Sequence, residues 1–331
     1  MKQRQLNIER RGHARPLLVL VLALVTGVVL WISTAGARDS RPGEPDKIWG
    51  KRGVSDGRLQ KPRAAAIDEH DRIYIVDMLA RIQVFDTDGN LLRKPQRTPA
   101  FEFGKPTGLS IDLEGNLLVA DTHYYRVLRY SPEGELLTER TIGGTKGQGE
   151  GEFGLVTDAV VDSQGYVYVS EYGDFDRIQK FTPEGKFVKQ WGGHGEEVGQ
   201  FRRPQNMTID ENDNLWVVDA CNHRVQVFDT EGNCLHVWGS YGSELGQLSY
   251  PYDILVTDDA VYVCEFGNHR VQKFERDPTN EFKQAPTSIG TWGQAGHGEG
   301  EFHNPWAMVR DSHGRIHVLD TNHHRVQRIY F

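Results

Sequence analysis

Cysteine is scarce in this chain of 331 residues: Cys221, Cys234 and Cys264 are the only three. An odd and small number excludes a disulfide framework, and the three sit at different places in the repeat described below, which argues against a shared catalytic thiol. Positive charge is also in short supply. Lys and Arg number 38 against 46 Asp and Glu, and five of the basic residues with one acid fall in residues 1–37. Residues 38–331 therefore carry 33 basic against 45 acidic side chains, a net charge of −12. A surface of that sign excludes binding to nucleic acid through its phosphates. No Gly-x-Ser-x-Gly elbow is present, and nothing after residue 37 is apolar for long enough to span a bilayer. What is abundant is glycine, at 36 residues, and aromatics, at 7 Trp, 12 Tyr and 14 Phe, a balance that suits a loop-rich β protein.

The one long apolar run stands at the start. Lys2, Arg4, Arg10, Arg11 and Arg15 precede an uncharged stretch from Leu17 to Ala37. Residues 1–16 read as a basic cytoplasmic segment and 17–37 as a signal-anchor, or as a signal peptide cleaved after Ala35-Gly36-Ala37. Both readings leave the basic residues in the cytoplasm and deliver the rest outside the cytoplasmic membrane, anchored or secreted. Residues 38–46 read as a linker.

From Lys47 onward the sequence repeats. IYIVDMLARIQVF, LLVADTHYYRVLRY, VYVSEYGDFDRIQKF, LWVVDACNHRVQVF, VYVCEFGNHRVQKF and IHVLDTNHHRVQRI are six versions of one string. Their marker acids are Asp77, Asp121, Glu171, Asp219, Glu265 and Asp320, and a proline stands fifteen residues earlier at Pro62, Pro106, Pro204 and Pro305. Val156 fills that slot in the third copy, and Pro251 is one residue closer in the fifth. Within each copy apolar residues alternate with a period of two, which predicts strands separated by glycine-containing turns. Strand a should end at an acid that closes an Asx turn: Asp68, Asp112, Asp162, Asp210, Asp258 and Asp311. Four short strands per copy of this length predict an all-β, six-bladed propeller of four-stranded antiparallel blades over residues 47–331, preceded by one N-terminal hydrophobic helix. The sixth copy stops after its third strand. Ile48-Trp49-Gly50 matches the Trp-Gly ends of the other fourth strands, so the N-terminal strand is expected to close the last blade and remove an exposed edge.

The stretch LWVVDACNHRVQVFDTEGN, with its Trp-Gly tail, resembles the NHL repeat, and the resemblance covers Lys47 to the end. It implies the propeller fold. For function it implies several things at once: docking of protein or RNA in cytoplasmic regulators, sensing in extracytoplasmic domains, and, in a related lineage, peptidyl-hydroxyglycine amidating lyase activity. In those lyases the resemblance implies zinc-binding histidines beside the blade-opening prolines. Here the matching residues are Arg63, Thr107, Thr157, Gln205, Tyr252 and Trp306, and none is histidine.

Residues common to all six copies are expected to build the ring. The marker acids with Arg81, Arg126, Arg177, Arg224, Arg270 and Arg325 read as a brace of the loop between strands b and c. His223, His269 and His324, which share one slot with His123 and His323 nearby, read as structural. Asp86-Thr87-Asp88-Gly89-Asn90 lacks the later glutamate of a calcium loop and reads as a hairpin turn. The glycine-rich strings at 147–151 and 296–300 carry acids and precede strands, so they read as loops between blades. Asn206-Met207-Thr208, a glycosylation sequon, should lie inside strand a.

Function is expected where equivalent slots differ. At the axial mouth these are Arg63, Thr107, Asp158, Gln205, Asn206, Tyr252, Asp253 and Trp306, polar groups beside two aromatics, a mixture that suits recognition. The expectation is an extracytoplasmic, non-enzymatic recognition or scaffold propeller that binds a protein or polar small-molecule ligand there. It touches the membrane only through its N-terminal segment, binds no nucleic acid and needs no cofactor, calcium being the cation that Asp158 and Asp253 would favour. The alternative is a metal-assisted lyase or hydrolase at the same mouth, which the missing histidines disfavour.

Overall fold

The computed structural model describes residues 44–331 apart from 277, 278, 280, 281 and 283. The expected cytoplasmic segment, the signal-anchor or signal peptide and most of the linker lie outside the described residues. Among the described residues no helix is long and apolar enough to cross a membrane.

Among the described residues twenty-four strands form six antiparallel sheets of four. The first strands of the blades are Pro62–Ile67, Gly108–Ile111, Leu155–Val161, Pro204–Ile209, Pro251–Val256 and Met308–Arg310. Each touches the next, and the sixth touches the first, so they surround a common axis. The fourth strand of the last sheet is Lys47–Trp49, which runs antiparallel to Arg325–Ile329 with Lys47 opposite Arg328 and Trp49 opposite Val326. Asp46 beside it holds Arg328 at 2.9 Å.

The core consists of six apolar clusters, each between two neighbouring blades. The second and third strands of the blades are buried along nearly their whole length, so each sheet is apolar on both faces and buries each against a neighbour. The loop entering a blade drops one large side chain between them: Leu59, Phe153, Phe201, Leu248 and Phe302 are fully buried. Truncating one of these aromatics to alanine costs about 3–5 kcal/mol in comparable cores. The second blade departs from the pattern, with Phe103 exposed.

All six marker acids are fully buried. Each holds the Nε–H of the repeat arginine, at 3.1 Å for Asp77, 2.9 Å for Asp121, 2.6 Å for Glu171, 2.8 Å for Asp219, 2.6 Å for Glu265 and 2.7 Å for Asp320. The far end of the arginine does not brace the b–c loop, as the sequence suggested, but the loop entering its own blade. Arg224 donates to the carbonyls of Glu196, Glu197 and Gln200, and Arg270 to those of Ser243, Glu244 and Gln247. A glutamine two residues on, as in Gln226 and Gln272, ties the same loop to the same acid.

The histidine slot joins blade to blade. His223, His269 and His324 adopt left-handed backbone conformations, and their Nδ1 atoms accept the N–H groups of Tyr250, Asn304 and Lys61, each just before the next proline slot. Asp176 does the same for Arg203 in the third blade. An accepting Nδ1 requires the neutral ring, and burial lowers the pKa of all three histidines accordingly.

Five Asx turns form as expected, with Asp68, Asp112, Asp162, Asp210 and Asp311 each accepting two backbone N–H groups. Asp258 does not. The shorter fifth copy turns on Thr257, whose Oγ1 accepts the Ala260 N–H. Asp86 caps its own hairpin through the N–H groups of Asp88 and Asn90, and the sequon lies within strand Pro204–Ile209.

Candidate functional site

The axial mouth owes its shape to a bulge. In the first, third, fourth and fifth blades the pairing of the first two strands shifts by one residue, at Pro62/Ala64, Val156/Asp158, Pro204/Asn206 and Pro251/Asp253. The residue after the proline slot is therefore the extra one, unpaired and re-aimed. This puts Arg63, Thr157, Gln205 and Tyr252 in equivalent bulged positions.

Three of the expected residues meet. The Arg63 guanidinium lies 5.1 Å from the centre of the Trp306 ring, and Tyr252 packs edge-on to Trp306 at 4.9 Å. Sequence reasoning missed their companions. Phe266 stacks on Tyr252 at 4.5 Å, and Arg203 lies over both Tyr172 at 4.9 Å and Tyr252 at 5.1 Å. Gln205 is buried and accepts from Arg203 Nε at 2.9 Å. Tyr172 and Phe266 occupy the slot after the marker acid, which is aromatic only in the two blades whose marker is glutamate; that coincidence was the available signal. Arg203 precedes a proline, a slot the repeat alignment left aside.

The acid beside Arg203, Asp176, accepts its backbone N–H rather than its guanidinium. Among the described residues Arg203 forms no ion pair, and Arg63 Nε is buried without a hydrogen-bond partner. Burial lowers the Arg63 pKa, and nearby Arg203 adds to this, while Tyr172 and Tyr252 oppose it. His123 Nδ1 is likewise buried and unpartnered, its pKa lowered by burial and then by Lys105 and Arg63.

The other expected residues face different work. Thr107 is buried and donates to the Thr157 carbonyl of the next blade at 3.0 Å. Asp158 Oδ2 accepts the Met207 N–H at 3.0 Å, and Asp253 Oδ2 accepts the Met308 N–H at 2.6 Å, each reaching to the next blade. Asp158 Oδ1 has no partner, and a side chain at Gly108 would collide with it. Asn206 is half-buried on the strand that follows. Burial raises the pKa of both acids, that of Asp253 to about 7.

Six four-stranded antiparallel blades around a common axis define a six-bladed β-propeller. The family model for the NHL repeat matches residues 201–228, and that match together with the six-bladed ring supports an NHL-repeat propeller family. It is 32% identical over 190 residues to peptidylglycine alpha-amidating monooxygenase of Rattus norvegicus, a match covering 54% of this chain and 18% of that protein. It is 26% identical over 120 residues to protein brain tumor of Drosophila melanogaster, covering 36% and 11%. The chain thus spans about a fifth or less of the length of these curated relatives. Among solved structures, virginiamycin B lyase of Staphylococcus aureus with quinupristin superposes with a TM-score of 0.59 at 13% identity, covering 86% of this chain and 85% of that one. That likeness is one of fold.

Asp253 gives a signed pH prediction. Its folded pKa of about 7 stands above the ordinary 3.8, so the folded state keeps a proton that the unfolded chain releases. Stability from this group is complete below about pH 4 and is lost as pH rises toward 7, by about 4 kcal/mol in all. Asp253→Asn cannot ionise and keeps an acceptor for Met308. Its melting temperature should gain on the wild type between about pH 4 and pH 7 and level off above that; parallel profiles would refute the buried-acid account.

Proposed function

We propose that this protein is a non-enzymatic recognition module whose axial mouth binds an anionic ligand or an acidic segment of a partner protein. The observation that carries the reading is the pair Arg63 and Arg203, partly desolvated against Trp306, Tyr252 and Tyr172 with no carboxylate partner. A protein with a net charge of −8 has acids to spare, so two uncompensated guanidiniums favour an anion supplied from outside. Arg pairs recognise carboxylates by parallel charge-assisted hydrogen bonds, and aromatic walls hold an apolar body beside them. In this reading Arg63, Arg203, Tyr252 and Trp306 touch the ligand, with Gln205 orienting Arg203 and Asn206 at the channel. Thr107, Asp158 and Asp253 hold the blades that present them. Neither calcium nor another cofactor is needed for this role.

The name of the amidating relatives supplies a probe: a short peptide ending in glycine with a free carboxylate. Isothermal titration of the full chain in detergent should show binding that Arg63→Ala and Trp306→Ala each weaken by about tenfold or more. Binding that neither substitution changes, or no binding at millimolar peptide, would overturn the site. Identity to the amidating monooxygenase favours a second reading, a metal-assisted lyase or hydrolase. The bulged slots, which hold no histidine, speak against it. Recovery of the peptide with unchanged mass is the expected result, and turnover would favour the enzyme.

We further propose that the propeller lies outside the cytoplasmic membrane, anchored by residues 17–37 or released after Ala37. The charge asymmetry around that stretch supports this. Protease added to cells with permeabilised outer layers should degrade the propeller; full protection would contradict the assignment.

A further inference from the structure

Three other departures from the repeat converge on one spot, away from the axial slots. His297 occupies the position of Glu196 and Ser243 in the two preceding copies, His303 that of Arg202 and Ser249, and His323 that of Asn222 and Asn268. Each is a single-copy substitution, and the three come from separate places in the sequence. In the structure their rings gather on the loop face of the last blade. The ring centres are 4.8 Å apart for His297 and His323, 5.3 Å for His303 and His323, and 6.1 Å for His297 and His303.

We propose that His297, His303 and His323 form a binding site for a zinc-like divalent transition-metal ion that pins the entering loop to the sixth blade.

The spacing fits the ion. Zinc binds imidazole nitrogen at about 2.0–2.1 Å, and the ring centre lies roughly 1.1 Å farther out, so three tetrahedral ligands place their ring centres about 5 Å apart. His323 is oriented as metal-bound histidines are. Its Nδ1 lies 2.9 Å from Oδ2 of the fully buried Asp320, which fixes the ring and leaves Nε2 outward as the ligating atom. Asp320 also accepts the His303 N–H at 2.8 Å, so one carboxylate positions two of the three residues. His323 Nε2 faces His297 Nδ1 at 2.8 Å, a hydrogen bond whose proton a metal ion would replace as the two nitrogens open to about 3.3 Å. Among the described residues no group of three His, Cys, Asp or Glu side chains is placed to hold a metal ion as it stands. The exposed rings of His297 and His303 must therefore turn, and neither is restrained by any hydrogen bond of its side chain other than that one contact.

The repeat also shows what the ion would replace. In the fourth and fifth blades the asparagine of this slot ties the entering loop down, Asn222 to the Gly195 carbonyl at 2.9 Å and Asn268 to the Gly242 carbonyl at 2.8 Å. In the sixth blade His323 stands there and makes no such bond. Three imidazoles leave the fourth metal position open to solvent.

The test uses the full chain in detergent, without added affinity-tag histidines, stripped by chelator and titrated with Zn²⁺ by calorimetry. One equivalent should bind at micromolar or tighter dissociation constant, and cobalt(II) should give the intense visible absorption of a tetrahedral site. His297→Ala and His303→Ala, both at exposed positions, should each weaken binding at least tenfold, while His194→Ala, on a different blade, should not. Absence of saturable binding would overturn the proposal. So would binding that survives the His297→Ala/His303→Ala double substitution.

Discussion

Everything in this ring hangs on a buried carboxylate that has an arginine to hold. Each blade brings four strands of only a few residues around an axis, and in five blades the loop that delivers the chain carries no more than an isolated β-bridge, such as His194 to Phe201. The marker acid, the repeat arginine and, in five blades, a glutamine fix that loop through its carbonyls. Breaking one partner of such a buried pair costs about 3–5 kcal/mol, since the survivor is left as an uncompensated charge. With the loop in place, its apolar residue drops between two blades and the interblade cluster closes. The second blade illustrates the dependence: Leu128 stands where the glutamine would be, and Phe103 of its entering loop is out in solvent.

The same logic separates framework from function. Slots filled alike, such as the arginine in all six copies and the left-handed histidine in three, are used up in holding loops and joining blades. Slots that differ are free to be used otherwise, and two groups of them meet in space. One is the mouth, where Arg63 and Arg203 lie against aromatic rings. The other is the histidine triangle of the last blade, anchored on Asp320. The marker acid thus serves in one copy both as brace and as the group that orients neighbouring imidazoles.

The blades were legible in the sequence because strand alternation and the marker strings are local, and the marker acids stayed in register over six copies. What was not legible depended on contacts between copies. The bulge after the proline slot is a two-against-one register that no single strand reveals, and it decides that Arg63 and Tyr252 point into the mouth while Asp158 and Asp253 reach across to the next blade. The histidine slot was readable as structural, but its partner, the N–H before the next proline, lies 27 residues on for His223. Arg203, Tyr172 and Phe266 escaped notice because they adjoin framework residues. Asp258 was misassigned because the fifth copy is one residue short, and Thr257 takes over the turn.

The central claim is that common slots carry stability and divergent slots carry binding. Thermal denaturation of the full chain carrying Arg224→Ala, compared with Arg63→Ala, tests it most directly. Arg224 holds Asp219 and three loop carbonyls, so its loss should lower the melting temperature by about 5 °C or more. Arg63, half-buried and unpaired, should leave the melting temperature unchanged or slightly raised when removed. Destabilisation by Arg63→Ala equal to or greater than that by Arg224→Ala would contradict the account.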